Sequence, residues 1–70
     1  MAAVKFVNAM GNDEVLNLDR VTAVEKPKSP KSLMIAFGKE HTHINLRSEE
    51  ERDELFERIC RAYKCEELVS

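Results

Sequence analysis

Residues 33 to 46 read Leu33-Met34-Ile35-Ala36-Phe37-Gly38-Lys39-Glu40-His41-Thr42-His43-Ile44-Asn45-Leu46, or LMIAFGKEHTHINL, and the fold turns on their side-chain parity. Leu33, Ile35 and Phe37 alternate with Met34 and Ala36, as expected of a strand whose successive side chains point to opposite faces. Gly38-Lys39 fits a two-residue hairpin turn with glycine at the position that needs positive φ. On the return, Thr42, Ile44 and Leu46 share one face, and His41, His43 and Asn45 share the other. The stretch therefore predicts an antiparallel hairpin with an apolar inner face and two imidazoles turned outward.

Toward the amino terminus, Ala3 to Asn8 alternates as well, with Val4 and Phe6 on one face and Lys5 outward. Met10-Gly11-Asn12-Asp13 supplies turn residues, and a first hairpin follows from it. Glu14 to Lys26 is too long for one ordinary strand and is interrupted at Leu18-Asp19-Arg20, which predicts two short strands joined by a tight corner. Pro27-Lys28-Ser29-Pro30-Lys31-Ser32 reads as an exposed loop, because proline lacks a backbone donor and restricts the residue before it. Toward the carboxyl terminus, Ser48 as N-cap and Glu51 three residues on form a capping box. Glu49 and Glu50 add negative charge at the positive end of the helix dipole. A helix over about 48–65 then places Leu55, Phe56, Ile59, Cys60, Ala62 and Tyr63 on one arc. Residues 66–70 are expected to fray.

The fold class is α+β, in one domain spanning 1–70: a meander of four or five antiparallel strands within residues 3–46, packed on one amphipathic helix. Two elements with one apolar side each bury those sides most simply against each other. A variant of this architecture curls the meander into a small, partly open barrel with the helix plugging one end. The expected core joins Phe6, Leu16, Leu18, Val21, Ile35, Phe37, Ile44 and Leu46 to Leu55, Phe56, Ile59 and Tyr63.

A chain of 70 residues buries only about 60% of its unfolded surface, so self-association is a reasonable expectation. With 34% charged and 43% hydrophobic residues the composition is that of a folded globular protein. Cys60 and Cys65 fall on one helix about 140° apart, too divergent for a mutual bridge, and are read as thiols of a cytoplasmic protein. No segment approaches the roughly 20 apolar residues of a membrane span, so no membrane partner is expected. Residues 1–47 hold seven basic against five acidic side chains, and residues 48–70 four against eight. Neither balance marks a nucleic-acid binder.

Several constellations compete for a function. His41 and His43 point the same way, as zinc ligands do, but a site needs a third and fourth ligand, and the cysteines belong to the opposite side of the sheet. No metal and no cofactor are therefore expected. If a second copy covers that face, the pair makes association pH-dependent where imidazole titrates. Cys60 lies on the apolar stripe and Cys65 at the helix end that disfavours thiolate, so neither is expected to be a nucleophile. The acidic run from Glu49 to Glu54 is explained by helix-start electrostatics better than by cation binding. Lys5, Lys26, Lys28, Lys31 and Lys39 are the best candidates for nucleic-acid contacts, although no aromatic residue accompanies them for base stacking. Val7, Val15, Val24, Met34 and Ala36 are expected on the outward side of the sheet beside His41 and His43. An exposed apolar patch of that kind marks an interaction surface.

GNDEVLNLDRVTAVEK, followed by the proline loop, SLMIAFGKE and SEEERDELFERI, resembles the small FlbD-type flagellar proteins of bacteria, and similar small bacterial and phage proteins. Gly11, Asn17, Val21, Val24, Glu25 and Gly38 match in kind and order between Lys5 and Ile59. The resemblance implies a hairpin, an Asn-centred corner, a second hairpin and a terminal helix, and no catalytic residues. Together these features predict a non-enzymatic interaction module that binds another protein or a second copy of itself. The second reading is a small nucleic-acid-binding regulator using the lysines.

Overall fold

The structure is a computed structural model that describes residues 2–63. Strand β1 (Ala3–Val7) pairs antiparallel with β2 (Asp13–Asn17), in the register Val4 to Leu16 and Lys5 to Val15. Asn8 builds the turn between them. Its side-chain oxygen accepts from the N–H groups of Met10 (3.0 Å) and Asn12 (3.1 Å), while Gly11 takes φ +83°, a conformation open to glycine at no steric cost.

The chain then turns its corner. Asn17 accepts from the Asp19 N–H at 2.9 Å and starts a 3-10 turn over Leu18–Arg20, after which β3 (Ala23–Glu25) begins. β4 (Ser32–Phe37) and β5 (Glu40–Asn45) form the second hairpin, with Gly38 at φ +67° in the expected turn. Helix α1 (Glu49–Ala62) starts as the capping box predicts, the Ser48 hydroxyl accepting from the Glu51 N–H at 3.1 Å. The last expected residues of the helix, and the tail 66–70, lie outside the described residues.

The α+β class therefore holds, with the five strands divided at the corner into two antiparallel sheets, β1-β2 and β3-β4-β5, neither of them closed. One core serves both. Val4, Phe6, Leu16 and Leu18 meet Leu33, Ile35, Ile44 and Leu46 from the other sheet and Leu55 and Ile59 from the helix. Cross-strand partners share a face, and the pairs Leu33–Ile44 and Ile35–Thr42 put the imidazoles on the far side, paired as Met34–His43 and Ala36–His41.

Two expectations are corrected. Val24 does not face outward: it pairs with Ile35 and packs against the core, because β3 enters the sheet one residue out of the assumed phase. Tyr63 is 45% exposed instead of buried, its hydroxyl donating to the Leu18 carbonyl and holding the ring at the margin of the core.

Removing core volume should therefore cost far more than trimming the outer faces. Leu33, fully buried, should lose about 3 kcal/mol on substitution by alanine. Val15→Thr, at a position 66% exposed, should stay within about 0.5 kcal/mol of the parent in urea denaturation.

Candidate functional site

The outward side of the three-stranded sheet runs in rows from β3 across β4 to β5: Glu25, Met34 and His43 in one, Ala23, Ala36 and His41 in the next. His41 and His43 are exposed, with ring centroids 6.1 Å apart and planes at 81°. Met34 and Ala36 beside them are half-buried. Among the described residues no three His, Cys, Asp or Glu side chains come together to hold a metal ion. Of the expected interaction residues, Met34, His41 and His43 thus share one surface. Val15, opposite Lys5, and the half-buried Val7, opposite Asp13, belong to the outer side of the other sheet.

β5 is also the end strand of its sheet. The Leu46 N–H donates to the Lys31 carbonyl at 2.8 Å, on the β4 side. Ladder groups alternate in an antiparallel pair, so those of Thr42 and Ile44 point to β4, and those of His41, His43 and Asn45 point away. The Asn45 carbonyl accepts from the Ala9 N–H at 2.8 Å. This bond is where the first hairpin touches the β5 edge, and it confines the accessible part of that edge to Glu40–Ile44.

The candidate lysines differ in their surroundings, and Lys28 is exposed in the proline loop. Lys26 is 3.2 Å from the Asp53 carboxylate and 4.8 Å from the Phe56 ring centroid, held by an ion pair and a cation–π contact. Lys31 and Lys39 stand at opposite ends of β4, roughly 20 Å apart at strand rise. Lys5 borders a hollow of ≈ 470 Å³ in which Arg47 and Arg58 are balanced by Asp13, Glu51 and Glu54.

Sequence reasoning missed Arg52. It is only 7% exposed, and its guanidinium donates to the carbonyls of Ser32 (3.1 Å) and Ser29 (3.3 Å) and to Asp53 (2.7 Å). The proline loop is thereby tied to the helix at both its lysine and its serine ends. The signal was present: Arg52 precedes Leu55 and Phe56 by three and four residues, which places it on the buried stripe. A second feature without warning is an apolar groove of ≈ 250 Å³ between β3 and α1, lined by Val21, Val24, Phe56, Ile59, Cys60 and Tyr63. Cys60 is half-buried there, and the reading of Cys65 lies outside the described residues.

Comparison of the chain with protein-family models, with curated proteins and with solved structures finds no match. Among the described residues no helix is long and apolar enough to cross a membrane.

Arg52→Ala leaves two carbonyls of the loop without their charged donor and should cost about 2 kcal/mol in chemical denaturation, with Arg52→Lys recovering part of it. Asp53 has its pKa lowered by the hydrogen bond from Arg52 first and by Lys26 next. A carboxylate depressed in the folded state stabilises it above the ordinary carboxylate range, and the contribution disappears as pH falls through the folded value. In urea melts from about pH 7 to about pH 2.5, the stability gap between the parent and Asp53→Asn should therefore shrink toward the acid end.

Proposed function

We propose that this chain is a small, non-enzymatic protein–protein interaction module that self-associates through its three-stranded sheet. The observation that carries this is the β5 edge: His41 and His43 turn their backbone donors and acceptors away from the sheet, beside the half-buried Met34 and Ala36. Strand addition satisfies such groups directly, and affinity then comes from main-chain hydrogen bonds while side chains set the choice of partner. Another protein offering an extended segment would use the same edge. We set the module in the cytoplasm on the cysteine argument alone, and the FlbD-type resemblance, which implies no catalytic residues, is compatible with it.

Sedimentation velocity over a wide concentration range should show reversible doubling of mass, and amide exchange at His41 and His43 should slow as the larger species grows. A strict monomer at millimolar concentration, with exchange at those amides independent of concentration, counts against the module as a self-associating one.

A further inference from the structure

We propose that two copies of this chain pair along β5 and that the four imidazoles so gathered form a zinc site, which the described residues of one copy do not complete. The inference rests on the interaction reading above and specifies its partner and its ligand.

Register is the first argument. The accessible edge runs from Glu40 to Ile44, because the Asn45 carbonyl is taken by Ala9. A two-fold axis through Thr42 is the one antiparallel arrangement that pairs this stretch with itself end to end. It sets Thr42 opposite the second copy's Thr42, and His41 opposite the second copy's His43. Those are also the residues whose ladder groups point out, so both His41–His43 pairs become hydrogen-bonded ones, with Cα atoms about 5.5 Å apart. Shifting the register by one residue would set inward-pointing ladder groups against outward-pointing ones.

Parity is the second. Paired residues share a face, so all four imidazoles stand on the outward side of the joined sheet, in two rows of two. Within one chain the ring centroids are 6.1 Å apart with planes nearly perpendicular. Two imidazoles on one tetrahedral zinc, with Zn–N near 2.0 Å, have centroids roughly 5 Å apart. Small side-chain rotations close that difference. No third ligand is present within the described part of one chain, so two imidazoles per copy make an incomplete site that a second copy completes. Neutral imidazole is the ligand form, and no redox or bond-breaking step is involved.

The test uses the full chain without a histidine tag, stripped with a chelator and then titrated with zinc chloride, with mass followed by sedimentation and bound zinc by elemental analysis. About one zinc per two chains should bind as the mass doubles. His41→Ala and His43→Ala should each abolish both effects. Thr42→Lys keeps both imidazoles but brings two ammonium groups face to face across the axis; it should prevent zinc-driven doubling and weaken zinc binding by about a hundredfold. Circular dichroism of each variant checks that it folds. Zinc uptake at one per chain without a change in mass overturns the shared site. A dimer that forms without zinc and is indifferent to both histidine substitutions overturns the zinc site and leaves the interaction module standing. A monomer with and without zinc overturns both.

Discussion

Cross-strand partners must lie on one face of a sheet, and in the β4–β5 ladder that constraint ties the core to the surface. Once Leu33 is set against Ile44 beneath the helix, Met34 must stand beside His43 and Ala36 beside His41 on the other side. A slip of one residue would turn both imidazoles to the core side and carry Ile44 out to the exposed side, losing its apolar burial. The position of the histidines is thus enforced by the residues between them. The same alternation fixes which backbone groups of β5 are spent on β4 and which are left at the edge.

The second hairpin needs its entry point held, and the buried guanidinium of Arg52 does this. Ser29 and Ser32 offer it their carbonyls, and the Ser32 hydroxyl sits 2.8 Å from the Asn45 side-chain oxygen on the returning strand. One cation on the helix therefore ties the loop, the start of β4 and, through Ser32, the end of β5. Burying a charge is costly unless it is paired and hydrogen-bonded, and here Asp53 and the two carbonyls supply both requirements. Asp53 is shared with Lys26, so one of the five lysines considered for nucleic-acid contacts is part of the scaffold.

Much of this was legible because period and turn chemistry are local. The alternation of Leu33 to Leu46, glycine at the two positive-φ turns, the corner at Leu18-Asp19-Arg20 and the Ser48 cap each follow from a few adjacent residues, and each is found where expected. The errors came where phase passes through an irregular segment. Val24 follows the 3-10 turn, whose effect on strand phase depends on tertiary contacts such as Thr22 bonding to Ala36 and Gly38. Arg52 was passed over for a different reason: helical phase puts it on the buried stripe, but the carbonyls that make its burial tolerable come from a loop distant in sequence. The capture of Lys26 has the same origin, since charge spacing along a chain says nothing about which lysine an aspartate or an aromatic ring will hold.

Among the described residues, ten buried apolar side chains form one core between the helix and two sheets that do not close. β3 has three residues, and an apolar groove lies beside it. A chain of this size thus trades closure for edges, and the edges differ in what they offer. β3 is short and flanked by the anchored Lys26, a combination that discourages pairing. β5 is longer, and its only described bond on the outer side is the one to Ala9 at its end. Of these two edges of the three-stranded sheet, the one that can extend the sheet is the one whose outward side chains are histidines. Unspent backbone groups and exposed imidazoles are therefore presented at the same place.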